Sequence, residues 1–285
     1  MRVAFMAAAG VSIVISAAII VSLFGNALTF ILQVDPATLW TNGWFPRRGL
    51  YDIKTIVAGT LVISAIAMVV ATPLGIGSAL FLSEYAGKRT RAILKPVLEI
   101  LASIPSVVLG FFALTWISPN LIQRLVSDAP VFSMASAGVA VGILVTPLVS
   151  SVAEDALHAV PDYLREASYG LGARQRTTSL RVVTPAAVSG IVAALLLGVS
   201  RAIGETMIVS IAAGAVGGSI FQVNPFEPGQ TMTAAMTSLA IGSDQVRGAA
   251  LTFESLFFVG LLLFIITLGL NLLSEAFVRR VRRNY

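Results

Sequence analysis

The 285-residue chain has no cysteine and a single histidine, His158. Without cysteine there can be no disulfide, thiolate metal site or cysteine nucleophile, and one histidine cannot make a His-pair metal centre. Charge is scarce too. Asp, Glu, Lys and Arg make up 12% of the residues, against roughly 25% in soluble domains. No G-x4-G-K-S/T run is present, so the chain carries no P-loop for ATP. It also has no H-E-x-x-H and no Gly-x-Ser-Gly paired with a membrane histidine, so intramembrane hydrolase chemistry is not expected. No cofactor is expected.

Apolar sequence fills the space. The chain is 56% hydrophobic, with a mean hydropathy of +0.89. That much apolar surface must face lipid. Six stretches are long enough to span a bilayer, which takes about 20 residues. They lie at Val3–Leu32, Thr55–Leu82, Val97–Ile117, Met134–Val152, Pro185–Ala213 and Ala249–Ala276. The first is too long for the apolar part of a cleaved signal, so it reads as a retained helix. The fold class is therefore an all-α integral membrane protein of about six spans. One membrane domain covers 1–285, with a long amphipathic connector at about 153–184.

Basic residues orient the stack. Arg2, the cluster Lys88, Arg89, Arg91 and Lys95, the cluster Arg165, Arg174, Arg176 and Arg181, and the tail Arg279, Arg280, Arg282 and Arg283 fall on one side. Arg47, Arg48, Lys54, Arg124 and Arg247 fall on the other. The positive-inside rule puts the richer side, with both termini, in the cytoplasm. Trp40, Trp44 and Tyr51 in the first connector suit the opposite interface.

The long connector has internal pattern. Pro161 suits a helix start, and Leu164, Ala167, Ser168 and Leu171 share one small, mostly apolar face. Gly170 and Gly172 then allow a stop or a sharp bend. Two readings fit. One is a helix lying on the membrane with its arginines at lipid phosphates. The other is a knob that seats in the groove of a cytoplasmic partner.

Charge also falls inside the membrane. Arg201 and Glu205 are four residues apart within the fifth stretch and share a helix face. A charge at that depth costs several kcal/mol unless it is satisfied. The pair is either an internal ion pair that fixes packing or a charged element of a substrate path, with Thr206 beside it. A guanidinium can give an oxyanion two parallel hydrogen bonds. Glu99, near the cytoplasmic end of the third stretch, is either buried against other helices or a further element of a path, and Ser103 and Ser106 flank Pro105, which frees backbone groups that can line a cavity. Gly138 and Gly142 form a G-x3-G that reads as helix packing, as does the isolated pair Gly75 and Gly77.

The connector sequence Glu166-Ala167-Ser168-x3-Gly172-x9-Val182-x-Thr184-Pro185 resembles the EAA loop of ABC-importer permeases, E-A-A-x3-G-x9-I-x-L-P. Ser168, Val182 and Thr184 depart from that pattern. Leu98–Ser106 with Gly110 resembles the third span of Pst phosphate permeases, Leu197–Met207 their fifth, and Glu166–Gly172 their form of the loop. The likeness is closer to PstC-type than to PstA-type subunits.

This resemblance implies a type I importer permease (MetI-like) fold in a bacterial or archaeal cell membrane. It implies that Glu166, Ala167, Ser168, Gly172, Leu164, Leu171 and Pro185 form a coupling element on a separate ATPase. It implies a PstA-like second permease, PstB-like ATPase subunits, phosphate as cargo, and an external PstS-like binding protein that meets Trp40, Trp44 and the loop from Asn224 to Gln230. No nucleic-acid partner is implied. Permeation of another oxyanion, molybdate or sulfate, and a stand-alone channel or secondary transporter are the alternatives.

Overall fold

A computed structural model describes residues 2–214, 217–241 and 251–282. Arg247, Ala249 and the tail from Arg283 onward lie outside the described residues. The described residues are mostly helical, because a bilayer offers no partner for an unpaired backbone amide. Helix α1 is Arg2–Gln33. A two-strand hairpin follows, β1 (Trp44–Phe45) and β2 (Leu50–Tyr51), antiparallel with Trp44 opposite Tyr51. Helix α2, Ile53–Tyr85, comes next, then α3, Lys88–Ala102, and α4, Ser106–Leu125. Helix α5 is Met134–His158. Two short helices, α6 (Asp162–Gly170) and α7 (Gln175–Ala186), fill the long connector. Then come α8 (Val188–Ile203), α9 (Met207–Ala212), α10 (Met232–Ile241) and α11 (Thr252–Arg282).

Among the described residues, five helices are long and apolar enough to cross a bilayer, and six if the bent pair α7–α8 counts as one span. This agrees with the six expected stretches, but three of them differ in detail. The third expected span, Val97–Ile117, is displaced. The helix breaks at Ser103–Pro105, and the membrane-length piece is Ser106–Leu125. Proline cannot continue the hydrogen-bond ladder, and it pushes the residue before it out of helical geometry. The piece before the break, α3, is amphipathic and carries Lys88, Arg89, Arg91 and Lys95.

The fifth stretch, Pro185–Ala213, is not one helix. It bends by 72° between α7 and α8, and it breaks again at Gly204–Thr206 before α9. The fourth runs beyond Val152 to His158.

Helices α2 and α5 form the centre. A β-carbon at Gly138 would stand 2.7 Å from Ile66, and one at Gly142 would stand 2.7 Å from Val70. The G-x3-G therefore serves close packing, as expected. Gly75 is likewise pressed against Val149, whereas a side chain at Gly77 would meet nothing within 4 Å. Around this pair, among the described residues, lie three buried clusters. The largest joins α2, α4, α5 and α9. A second sits under the hairpin, where Phe30, Trp44, Tyr51 and Leu256 pack together. A third lies at the basic end, around Leu157, Val183 and Ile191.

The hairpin corrects one expectation. Trp40 is 66% exposed, as suits an interface, but Trp44 at 1% and Tyr51 at 4% are buried and belong to the core. Trp44 is drawn in because β1 folds back onto α2, where the buried carboxylate of Asp52 accepts from the Gly43 N–H at 3.2 Å and from Thr55 Oγ1 at 2.6 Å.

Candidate functional site

The break at Gly204–Thr206 builds the first site. Once the helix stops at Ile203, the first amides of α9 have no carbonyl below them. Glu205 supplies the acceptor. Its Oε1 accepts from the N–H groups of Thr206 and Met207, both at 3.1 Å, and from Ile208 at 3.5 Å. Its Oε2 meets Arg201 Nη1 at 3.2 Å. Thr233, at the start of α10, donates its hydroxyl to the Glu205 carbonyl at 2.7 Å, and the Met232 N–H bonds Thr60 Oγ1 of α2 at 3.0 Å. Helix α10 thus begins level with the break and returns to Trp44 and Tyr51, where Leu239 packs. Arg201 lies about 20 Å along α8 from its start, at 1.5 Å per residue.

The pair is asymmetric. The Glu205 side chain is 4% exposed and that of Arg201 is 48% exposed. Glu205 is a buried helix cap that aims a guanidinium, and Arg201 keeps donor edges on the outside of the bundle. The expected i, i+4 pairing is present, although the helix does not continue through it. Thr206 adjoins the pair and bonds the Gly204 carbonyl at 3.3 Å. Among the described residues, no hydrogen bond joins Glu99, Ser103 or Ser106 to Arg201 or Glu205. Ser103 bonds its own helix at Ile100 O, 2.7 Å away, and Ser106 opens α4. Glu99 sits on α3. With Lys95, Ser150 and Glu154 it lines a cavity of about 330 Å³ between α3 and α5.

The connector forms the second site. Helix α6 ends where expected, with Gly172 in the left-handed region at φ +78°. The Ala173 N–H closes on Ser168 O at 3.1 Å, a C-terminal cap that favours glycine. Ser168 is buried and shares a 2.9 Å hydrogen bond with Thr178 of α7. Thr184 Oγ1 bonds Ser179 O at 2.8 Å, and Pro185 follows just before the bend. The two polar departures from the loop pattern therefore have internal partners.

The face expected from spacing is split. Leu164 packs inward on the third cluster, and Ser168 turns inward with it. Leu171 is 91% exposed, and Glu166 and Ala167 are exposed alongside Tyr163 and Tyr169. Leu171 parts from the helix face because α6 has already ended at Gly170.

Two ion clusters at this end escaped the sequence reading. Glu154 of α5, 1% exposed, pairs with Arg91 and, at 2.7 Å, with Lys95. The Glu154 bond holds the Lys95 ammonium above its ordinary range. Arg165 of α6 pairs with Glu84 at 2.8 Å. The partners are some 60 to 80 positions apart in the chain, so no local pattern could have joined them.

Comparison with known proteins places the chain. The family model described as "Binding-protein-dependent transport system inner membrane component" matches residues 71–283, which takes in both the connector and the broken span. The chain belongs to this family.

Among curated relatives of this permease, the phosphate transport system permease protein PstC of Pasteurella multocida is 31% identical over 266 residues, covering 86% of this chain and 80% of that one. PstC 1 of Mycobacterium tuberculosis is 33% identical over 258 residues, covering 84% and 75%. A probable ABC transporter permease, YqgH of Bacillus subtilis, is 31% identical over 232 residues, covering 79% and 74%.

Solved structures share the fold. A chain of the MetNI methionine ABC transporter, inward facing, matches with a TM-score of 0.57 at 21% identity, covering 80% of the permease and 93% of that chain. A chain of a bacterial alginate ABC transporter matches at 0.58 and 17% identity, covering 80% and 79%. The expected MetI-like fold is therefore the observed one.

Proposed function

We propose that this chain is the transmembrane permease subunit of an ATP-driven phosphate importer and is not itself an enzyme. The observation that carries the proposal is the half-exposed Arg201, held by a buried Glu205 at a helix break, in a chain whose relatives are named as PstC phosphate permeases. A planar guanidinium matches an oxyanion in two parallel hydrogen bonds. Glu205 offsets its charge, so that the anion is held weakly enough to leave.

Arg201 then faces the path between this chain and a PstA-like second permease. ATP is hydrolysed by PstB-like subunits docked on the exposed outer side of α6, with Glu166, Ala167 and Leu171. A PstS-like protein delivers phosphate at the hairpin end, where Trp40 and Asn224 are exposed. Trp44 and Gln230 are buried and do not touch it. The basic end, with both termini, is cytoplasmic, and the membrane is a bacterial or archaeal cell membrane. The test is uptake of labelled phosphate by the reconstituted complex, with molybdate and sulfate as competitors. Uptake that phosphate alone suppresses supports the proposal, and uptake suppressed by molybdate or sulfate instead overturns it.

A further inference from the structure

Glu84 lies outside every motif, yet its surroundings are built for it. Helix α2 ends in a wide π turn at Phe81–Tyr85 that turns the Glu84 side chain inward, where it is 3% exposed. Wide turns of this kind recur at functional positions. Glu84 Oε1 takes the Arg165 guanidinium of α6 at 2.8 Å. Ser179 of α7 reaches Oε2 at 3.5 Å, and Gln175 of α7 donates to the Glu84 backbone carbonyl at 2.5 Å. Arg165 also donates to Leu157 O at 2.9 Å, in the last turn of α5, and to Val160 O at 2.6 Å, just past that helix. One buried acidic residue therefore ties both connector helices to α2, and its arginine ties them to α5.

We infer that Glu84 is the positioning residue that makes the connector helices one rigid body with the central α2–α5 pair, so that motion of a docked ATPase reaches the membrane core through α2. This rests on the proposed coupling role of α6. The fifth stretch alone is a poor lever, because it bends by 72° immediately after α7. A force applied to α6 is absorbed at that bend unless a second connection carries it. Glu84 supplies that connection at the end of the most centrally packed helix.

The absence of cysteine makes the test clean. Three forms of the reconstituted complex are compared: wild type, Glu84→Cys with Ser179→Cys, and the same pair joined by a short bis-maleimide. Coupling energies between sites correspond to roughly 5–150-fold effects, so the unlinked pair should lose about tenfold in phosphate moved per ATP hydrolysed. The linked pair should regain it, with ATPase subunits bound at wild-type yield in both.

Wild-type coupling in the unlinked pair, or arrest of transport on linking, overturns the inference. A loss of ATPase binding in the unlinked pair also overturns it, since Glu84 would then only stabilise the loop. If the wild type moves no phosphate, the functional proposal fails, and the inference is read from spin labels at Asn42→Cys and Leu171→Cys. Glu84→Ala should broaden their distance distribution, while an unchanged width refutes the rigid connection.

Discussion

Replacing Gly172 by valine should uncouple the permease, and the reason is conformational. Gly172 has φ +78°, and a β-carbon built there meets nothing within 4 Å. The cost of a side chain is therefore backbone strain without steric clash. The left-handed conformation costs an L-residue about 1–2 kcal/mol, more for a β-branched one, and asparagine tolerates it best among non-glycine residues. Helix α6 has nine residues, too few to be stable without its cap. A penalty of 1–2 kcal/mol shifts the population of the capped helix by roughly 5–30-fold. Gly172→Val should insert normally but lower ATPase association, or phosphate moved per ATP, by a factor in that range. Gly172→Asn should stay within about twofold of wild type on the same grounds. The assay is co-purification of the ATPase subunits followed by paired uptake and hydrolysis rates. Equal, normal coupling in both variants would refute the requirement for a left-handed residue and with it the docking role of α6.

Other outcomes follow from the packing and the charges. Impermeant maleimide should label Asn42→Cys and Asn224→Cys from outside intact cells and leave Arg176→Cys untouched; external labelling of Arg176→Cys would invert the topology. Gly142→Leu should lower the melting temperature of the purified protein, since overpacking costs about 1–3 kcal/mol and its first added carbon already lies 2.7 Å from Val70; Gly77→Ala should not. Glu154→Gln should destabilise the protein more than Lys95→Met, because it strands two cations beside a buried position. Arg91 and Lys95 are about a third exposed, so hydration should keep the loss below the roughly 3–5 kcal/mol of a fully buried pair. The folded-state pKa of Lys95 is raised, so its contribution should persist at all pH values below the ordinary lysine range near 10.4 and fade only above it. A stability profile that fell between pH 6 and 9 on account of Lys95 would contradict that.

Hydropathy is a local property, so the spans and their order were legible in residues such as Ile53–Leu80 without any tertiary knowledge. The charged pair was legible for the same reason, since Arg201 and Glu205 lie one turn apart. What sequence could not give was the breaks. Gly204-Glu205-Thr206 lies within a stretch apolar enough to span, and the contacts that hold the interruption include Thr233, arriving from 28 positions further on. Pro105 did announce a kink, but the apolar residues before it hid that α3 is a separate amphipathic piece. Nor could spacing show that Leu164 and Leu171 part company, because that depends on where α6 caps. The clusters around Glu84 and Glu154 join segments far apart in the chain and became visible only in the folded protein.

The central claim is that Arg201 acts on the transported anion. Glutamine at position 205 keeps an oxygen for the amide donors of Thr206, Met207 and Ile208, so Arg201→Gln with Glu205→Gln removes both charges while the cap stays. Removing both partners leaves no unpaired buried charge, so a purely architectural pair would tolerate the exchange. Phosphate uptake by the assembled double variant therefore decides the matter. Normal assembly with uptake reduced by at least about tenfold is the predicted result, from loss of charge-assisted hydrogen bonds; near-normal uptake would contradict it and leave Arg201 and Glu205 as a packing element.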